Sequence, residues 1–327
     1  MNVALIGLKG HYDTVLEGLK DAGCRLVAVA DDNPEVLAGV VGWPTAAADT
    51  KVYSDWRELL EHEQVDIVGE SSTDNGRGEV IRACAERGIH VLAEKPLAFT
   101  LDELAAVWEA VTTGGIHLSM LLTMRFEPAY MAMRQCVQEG LIGDICQAAM
   151  QKSYRLGNRP EWQRDRATFS GIIPFIGIHA LDLISWTSGR GFARGAAFCA
   201  NTGHPELRDM EDNACLALEL DNGGSAGVRL DYCRPAAAPT HGDDRLRLAG
   251  NKGVVESLAS GTQVTLITEE EGLHHVPLPD KGEQFANFVA SIKGEAPSGV
   301  PAEDCFRITE VVLKLREAAW QKQAVEL

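Results

Sequence analysis

Positive charge is scarce in this chain. It has 30 lysines and arginines against 47 aspartates and glutamates in 327 residues, a formal charge of −17. This balance repels nucleic acid and anionic membrane surfaces, so we expect neither as a partner. No apolar run approaches the length that spans a bilayer. A strand that begins by Val3 leaves no room for a signal peptide, and we therefore expect a cytoplasmic protein.

Metal-binding cysteine patterns are also missing. The eight cysteines are scattered, with no C-x-x-C and no cysteine–histidine cluster at metal spacing, so no metal site is expected. Most lie in apolar runs, where cysteine acts as a small hydrophobe, and free thiols in a reducing compartment fit this distribution. The apolar content of 45% is ordinary for a soluble globular protein, and the length favours two domains.

The first third of the chain alternates apolar strands with amphipathic helices. We predict strands at 3–6, 25–30, 65–68, 88–93 and 116–122. This alternation predicts an α/β domain over residues 1–122, with a doubly wound parallel sheet of the Rossmann type. From residue 123 to 327, successive strands follow one another without helices between them, which predicts a second domain with a mostly antiparallel sheet. We expect the site in the cleft between the domains.

The segment after the first strand lies where a dinucleotide-binding turn is expected. Its residues are Gly7, Leu8, Lys9, Gly10, His11 and Tyr12. Only the first glycine of the G-x-G-x-x-G fingerprint is in register, because Lys9 takes the second place and Tyr12 the third. The Lys9 side chain would crowd a pyrophosphate, although its ammonium can pair with phosphate charge. An ordinary strand-to-helix turn is the alternative.

Polar residues follow two further strands. Asp31 closes the second strand, where a carboxylate accepts hydrogen bonds from an adenosine ribose, and Asp32 adds a second negative charge. Both carboxylates repel a 2′-phosphate, so NAD is favoured over NADP; a turn-forming Asp pair is the alternative. The third strand is followed by Ser72, Thr73 and Asn75. Their side chains can contact the ribose and phosphates of a cofactor, or simply cap the next helix.

Glu94, Lys95 and Pro96 follow the strand at 88–93 and precede a helix that begins at Leu101. Lys95 is therefore expected at the carboxyl end of a parallel strand, the edge at which open α/β sheets bind ligands. An amine at this position can hydrogen-bond the hydroxyl or carbonyl oxygen of a substrate beside a cofactor. The alternative is a solvated lysine in a turn.

A second candidate centre is G-I-H-A-L-D at 177–182. If the segment is helical, His179 and Asp182 lie three residues apart on one face. The carboxylate can then orient the imidazole and stabilise its charged form, which suits acid–base chemistry. The alternative is a structural histidine near a domain interface.

Taken together, these residues resemble the Gfo/Idh/MocA family, named for glucose–fructose oxidoreductase and inositol dehydrogenase. The likeness covers nearly the whole chain. It includes the opening strand–turn–helix with Asp31, the segment 88–100 (GIHVLAEKPLAFT), Arg125-Phe126, G-x-x-G at 140–143, G-x-H-x-x-D at 177–182 and the closing PAEDCFRITEVV. The resemblance implies an NAD(P)-binding Rossmann domain joined to an α/β domain with an open, mostly antiparallel sheet. That second domain would bind substrate and form dimers or tetramers through its sheet.

The resemblance also implies roles for single residues. Lys95 would lie beside the nicotinamide and the substrate hydroxyl, with Glu94 next to it, and His179 would act as the acid/base. Arg125 and the stretch from Trp162 to Arg166 would reach the cofactor or the substrate. We further expect a substrate wall of cationic and aromatic residues, which suits a polyhydroxylated or acidic sugar; its members are Tyr154, Arg155, Arg159, Trp162 and Arg164.

One position departs from the family pattern. Many relatives carry an acidic residue four positions before the histidine, and here that residue is Phe175, which cannot relay a proton. The interpretation is an NAD-dependent oxidoreductase that takes a hydride from a secondary hydroxyl of a sugar, polyol or sugar derivative. Two alternatives stay open: a glycosidase or lyase that recycles a tightly bound NAD, and a non-catalytic dinucleotide or sugar sensor.

Overall fold

The computed structural model describes all residues from 1 to 327, and they form two compact units. The first comprises residues 1–121 and 283–309, and the second comprises 122–282 and 310–327. The predicted boundary near residue 122 therefore coincides with a change of unit. The predicted assignment of 123–327 to one domain differs from the structure, because residues 283–309 return to the first unit.

The first unit contains a six-stranded sheet in the order β3-β2-β1-β4-β5-β6, with every neighbouring pair parallel. Its strands are β1 (Asn2–Ile6), β2 (Arg25–Ala30), β3 (Ala46–Tyr53), β4 (Ile67–Glu70), β5 (His90–Ala93) and β6 (Leu118–Met120). The helices between them are α1 (Asp13–Gly18), α2 (Pro34–Val40), α3 (Trp56–His62), α4 (Arg77–Ala85) and α5 (Leu101–Gly114). The predicted doubly wound parallel sheet is confirmed.

Residues 283–309 belong to the first unit because their helix packs into the apolar core of that unit. Helix α8 (Gln284–Ile292) buries Phe285 and Phe288 in the same apolar cluster as Val15 and Leu19. The side-chain amide of Gln284 also donates a 2.8 Å hydrogen bond to the carbonyl of Met120 at the end of β6. Burial of two phenylalanines contributes several kcal/mol, roughly 1.5–3 kcal/mol for each side chain.

The second unit contains a nine-stranded sheet in the order β14-β13-β12-β11-β7-β10-β9-β8-β15. Its strands are β7 (Ile145–Arg155), β8 (Phe192–Ala200), β9 (Asn213–Leu220), β10 (Ser225–Arg234), β11 (Gly242–Gly250), β12 (Gly253–Leu258), β13 (Gln263–Thr268), β14 (His274–His275) and β15 (Val325–Glu326). Only the β7–β10 pair is parallel. The predicted mostly antiparallel sheet is confirmed.

Three helices accompany this sheet: one precedes β7, one lies between β7 and β8, and one precedes β15. They are α6 (Pro128–Gln138), α7 (Ile178–Ser188) and α9 (Ala302–Gln321), which runs from the first unit into the second. A π-helical turn, Ile173–Gly177, leads directly into α7. Such turns are frequent at functional sites. No helix of the chain combines the length and the apolar composition needed to cross a bilayer.

Candidate active site

The turn that follows β1 approaches the turn after β4 so closely that Gly7 has no room for a side chain. Gly7 has a φ of +76°, and an added Cβ would collide with the backbone of Ser71 and Ser72. Its N–H donates to the carbonyl of Ala30 at 2.8 Å, and the N–H of Lys9 donates to the carbonyl of Ser71 at 2.9 Å. The Gly7 turn is thus fixed to both neighbouring strands at the carboxyl edge of the sheet.

Lys9, at the second fingerprint position, contacts both carboxylates that follow β2. Its Nζ lies 2.9 Å from Asp31 Oδ1 and 2.6 Å from Asp32 Oδ1. Partial burial alone would favour a neutral amine, but the bonds to Asp32 and Asp31 raise the pKa of Lys9. The bond to Lys9 lowers the pKa of Asp32 despite some desolvation. The ammonium expected to face phosphate therefore neutralises carboxylate charge in this structure.

Asp31 is buried, and the chain itself supplies several of its hydrogen bonds. Its Oδ2 accepts from the N–H of Leu8 at 2.7 Å, and its Oδ1 accepts from the N–H of Asn33 at 2.8 Å. A cleft of about 350 Å³ opens beside it. Ser72 and Thr73 line this cleft, whereas Asn75 is exposed and accepts a 2.9 Å hydrogen bond from the Thr73 hydroxyl.

Lys95 lies at the carboxyl end of β5, as predicted, and only 2% of it is exposed. Its Nζ is 4.0 Å from Glu94 Oε2, which also accepts a 3.0 Å hydrogen bond from the Lys95 N–H. The peptide between Lys95 and Pro96 is cis. Burial alone would raise the pKa of Glu94, but the Lys95 ammonium and the His11 hydrogen bond hold it well below its usual range. Lys95 thus lies beside a charged carboxylate away from water.

His11 connects the Gly7 turn to this lysine. Its backbone N–H and its Nδ1 both lie 2.5 Å from Glu94 Oε1. A Cβ at Gly10 would collide with the same carboxylate, so glycine is required there for Glu94 to approach. The hydrogen bond to Glu94 raises the pKa of His11. His11, predicted to contact a cofactor, therefore contacts Glu94 in this structure.

Arg77 is a residue of this region that the sequence interpretation missed. It is 2% exposed and donates to Glu70 Oε2 at 2.8 Å, to the Ser72 carbonyl at 2.8 Å and to the Pro96 carbonyl at 2.6 Å. Arg77 therefore holds the loop after β4 and the loop after β5 in one arrangement. Full burial of Glu70 raises the pKa of its carboxyl, although Arg77 partly offsets this. Glu70 is a charged residue in the buried strand β4, and this was the only signal in the sequence for the network around Arg77.

In the second unit, His179 and Asp182 lie in α7, as the helical interpretation required. His179 is 9% exposed, and Asp182 is 2% exposed. The Asp182 carboxylate accepts a hydrogen bond of 3.0 Å from Arg125 Nε and one of 2.5 Å from the terminal nitrogen. This two-point arrangement is the strongest geometry for such a pair. Arg125, expected to reach cofactor or substrate, thus contacts Asp182.

Phe175 belongs to the π-helical turn just before α7 and packs in an aromatic cluster. Its ring centroid lies 5.1 Å from Phe169 and 6.2 Å from Trp162, with edge-to-face orientations. Trp162 is therefore fixed against the turn that carries Phe175. The position that is acidic in many relatives has an apolar packing role in this chain.

The remaining predicted substrate residues lie near the ends of the central strands. The Tyr154 hydroxyl donates to Asp244 Oδ2 at 3.2 Å, and the same carboxylate oxygen lies 2.8 Å from the buried Lys152 ammonium. Burial and Asp244 raise the pKa of Tyr154 well above its usual range. Arg155 donates to the Ala238 carbonyl, and Arg164 lies 3.3 Å from the exposed Glu161. No group of three or more histidine, cysteine or acidic residues is arranged to hold a metal ion.

Comparison with known proteins agrees with the resemblance seen in the sequence. Residues 1–121 match the model of the oxidoreductase family with an NAD-binding Rossmann fold, and residues 130–256 match the Gfo/Idh/MocA C-terminal domain. Inositol 2-dehydrogenase 2 of Saccharopolyspora erythraea is 31% identical over 284 residues, covering 85% of this chain and 78% of the relative.

Two solved structures illustrate the likeness in three dimensions. A putative oxidoreductase from Thermotoga maritima superposes with a TM-score of 0.94 at 33% identity, covering 100% of each chain. Levoglucosan dehydrogenase in complex with NADH superposes with a TM-score of 0.82 at 19% identity, covering 100% of this chain and 98% of that one, and shows the shared fold. On the strength of the two family matches and these relatives, this chain belongs to the Gfo/Idh/MocA family of oxidoreductases.

Proposed function

We propose that this protein is an NAD-dependent oxidoreductase that takes a hydride from a secondary hydroxyl of a sugar, a polyol or a related sugar derivative. The observation that carries the proposal is the buried Lys95 at the carboxyl edge of the parallel sheet. The Gly7 turn and Asp31 belong to the same edge. Ligands of doubly wound domains bind at this edge, so a buried amine there suits contact with a reacting oxygen.

The adenosine half of a dinucleotide fits the cleft beside Asp31. Gly7 lines the cleft without a side chain that would occupy it, and Asp31 Oδ2 has capacity for one hydrogen bond beyond that from Leu8. Carboxylates outnumber cations in the lining, which disfavours a 2′-phosphate and supports NAD over NADP. The charged residues that line the cleft are Lys9, Asp31, Asp32, Asp55, Arg57 and Glu79.

In the proposed site one side chain acts as the general base and another donates a hydrogen bond to the reacting oxygen. A bound nicotinamide would supply the hydride acceptor. His179 accepts the proton of the substrate hydroxyl, and Lys95 donates a hydrogen bond to the same oxygen as negative charge develops on it. Asp182 acts through its bond to Arg125, which fixes the first turn of α7 and so the direction of His179.

The substrate class rests on the relatives and on the residues near β7. Several related proteins are inositol or sugar dehydrogenases, including a myo-inositol 2-dehydrogenase of Thermotoga maritima at 24% identity over 351 residues. We propose that Tyr154, Arg155, Trp162 and Arg164 form the wall against which the substrate lies. Hydroxyl, indole and guanidinium groups donate hydrogen bonds to the oxygens of a polyhydroxylated molecule.

Thermal-shift measurements with NAD, NADH, NADP and NADPH test the cofactor first, because a ligand of the native state raises its apparent stability. We expect the largest shifts with NAD and NADH. Absorbance assays with NAD over a panel of sugars, polyols and sugar acids then test turnover, with accumulation of NADH expected. Absence of a shift with all four, in protein shown to hold no co-purified dinucleotide, would contradict the proposal. Product formation without NADH would instead identify a recycled cofactor.

We also propose a homodimer or homotetramer formed through the nine-stranded sheet. Phe198 is 70% exposed on β8 and pairs in register with the exposed Cys215 of β9. The paired Ala196 and Ala217 lie on the same sheet face and extend its apolar area, and a contiguous exposed apolar patch is typical of a protein interface. Analytical ultracentrifugation of the wild type and of Phe198→Glu tests this, with dissociation expected for the variant.

A further inference from the structure

The candidate substrate region contains three arginines in ten residues of the chain, and they differ in their hydrogen-bond and ion-pair partners. Arg164 lies 3.3 Å from the carboxylate of Glu161. Arg155 uses a terminal nitrogen to hold the Ala238 carbonyl. Neither Arg155 nor Arg159 forms an ion pair with a carboxylate, although the chain as a whole carries 17 more acidic than basic groups. Arg159 differs from Arg155 because its own hydrogen bonds are long.

The hydrogen bonds of Arg159 within the protein are long. One terminal nitrogen lies 3.4 Å from Gln163 Oε1, and the other lies 3.5 Å from the Arg155 carbonyl, both beyond the usual range for N–H···O bonds. Its Nε has no hydrogen-bond partner and is shielded from solvent, as are the Nε atoms of Arg155 and Arg164, although the Arg159 side chain as a whole is only partly buried. Unmet donors of a charged group are costly where water is excluded.

A stacked aromatic ring fixes the guanidinium in place. The Arg159 Cζ lies 4.2 Å from the centroid of the Tyr232 ring, an arrangement that stabilises a cation and restricts its rotation. A planar guanidinium whose rotation is restricted presents its N–H donors in a fixed direction. This favours recognition of a planar anion through two hydrogen bonds.

Strand β10 connects Arg159 with the turn that leads to His179. Tyr232 is two residues beyond Leu230 on β10 and so lies on the same face of that strand. Leu230 fills the space beside Gly177, where an added Cβ would be 2.8 Å from its Cδ1. On the other side, Trp162 packs on Phe175 of the same π-helical turn. Arg159 and the turn before α7 thus pack on the same face of β10.

We propose that Arg159 binds the carboxylate of a sugar-acid substrate, such as a uronate or an aldonate, and so determines substrate specificity. The proposal rests on the function proposed above and narrows its substrate class. A carboxylate would give this guanidinium a partner with a single negative charge and two acceptor oxygens in one plane. A phosphate shares the anion chemistry but carries more negative charge than one guanidinium can neutralise.

Matched substrate pairs provide the test: D-galacturonate with D-galactose, D-gluconate with sorbitol, and glucose 6-phosphate with glucose, each assayed at saturating NAD. For wild type we expect kcat/KM for an acid to exceed that of its neutral partner by about 10- to 100-fold, the usual value of a hydrogen bond to a charged group. In Arg159→Gln the KM for the acid should rise by a similar factor, so that kcat/KM falls much further for the acid than for the neutral partner and the preference for the acid disappears. Arg159→Lys should recover part of the loss.

Arg245→Gln is the control, because Arg245 is exposed and already pairs with Asp243 at 2.8 Å. It should leave the acid preference intact. Equal wild-type activity on acid and neutral partners, or an acid preference unchanged in Arg159→Gln, overturns the proposal. A preference for the phosphate that disappears in Arg159→Gln also overturns it in favour of a phosphate ligand.

A binding measurement separates this proposal from the proposed oxidoreductase function. The thermal shift produced by D-galacturonate and D-gluconate is compared between wild type and Arg159→Gln, with NAD shifts recorded on both. A carboxylate-dependent shift that the variant loses supports the anion site even without turnover. If NAD produces no thermal shift in either protein, the proposed NAD-dependent function is contradicted, whereas the carboxylate site is not. If NAD produces a thermal shift but neither acid does, the proposed carboxylate site is overturned, whereas the NAD-dependent function is not.

Discussion

The Glu94 carboxylate oxygen Oε1 lies 2.5 Å from both the backbone nitrogen and the imidazole Nδ1 of His11. One buried acidic group therefore joins the Gly7 turn to the loop that carries Lys95, since its second oxygen accepts from the Lys95 N–H. The position of the proposed catalytic amine depends on a histidine that is more than half exposed, with 56% of its side chain in solvent.

This relationship predicts a pH-dependent stability. Glu94 raises the pKa of His11 above its ordinary value of 6.5, with burial and Lys95 acting against it and Asp13 adding to it. The stabilisation from charged His11 is therefore complete below pH 6.5 and is lost as the pH rises through the raised pKa. The free energy of unfolding, measured by urea titration between about pH 6 and 9, should fall for wild type and stay flatter for His11→Gln.

The exposed His62, whose Nδ1 faces the Glu58 carbonyl, provides the matched control. His62→Gln should keep the wild-type pH dependence. A His11→Gln profile parallel to wild type would show that the His11–Glu94 contact carries no net charge interaction in solution. Glu94 itself adds stability at neutral pH that is lost only as the pH falls through its lowered pKa.

Substitution of Arg77 by methionine should destabilise the first unit. The change leaves Glu70 and Asp74 buried without the guanidinium that both carboxylates now contact. Removal of one partner from a buried ion pair costs about 3–5 kcal/mol. Urea unfolding monitored by fluorescence measures this, with Arg87→Met as the exposed control, and a loss below about 1 kcal/mol would contradict the role given to Arg77.

Lys95→Met and His179→Gln should each lower kcat, because the first removes the donor to the reacting oxygen and the second removes the base. Positioned acid–base groups contribute about 10²- to 10⁴-fold in rate. NADH formation measures the effect, and the thermal shift with NAD should persist for His179→Gln. Lys20→Met, at an exposed lysine, is the control. Full turnover by either variant would remove that residue from the mechanism.

Lys9→Met should sharpen discrimination against NADP. The substitution removes the ammonium that now lies within 3 Å of both Asp31 and Asp32, so a 2′-phosphate would meet uncompensated negative charge. We expect the ratio of NADP to NAD dissociation constants to rise several-fold, in line with roughly 1 kcal/mol for partly exposed charge pairs. Calorimetric titration of both cofactors measures the ratio, and an unchanged ratio would show that Lys9 does not affect specificity.

The regular strands and the fold class followed from the sequence because their apolar patterns are local. β2 was predicted with the bounds that the structure has. β3 was missed because it is a largely exposed edge strand without a buried apolar run, and α2 was missed because it is short and buries only Val40. Neither element carries the periodicity that burial imposes on the others.

The sequence alone determined that Lys95 ends a buried strand and that His179 and Asp182 share a helix, since both follow from strand and helix geometry. Tertiary structure decided the partners: Glu94 with His11, Asp182 with Arg125, and Lys9 with two carboxylates. These partners are up to 83 residues apart in the chain. Which charged group meets which depends on how loops from different strands pack, and one sequence contains no local signal for that.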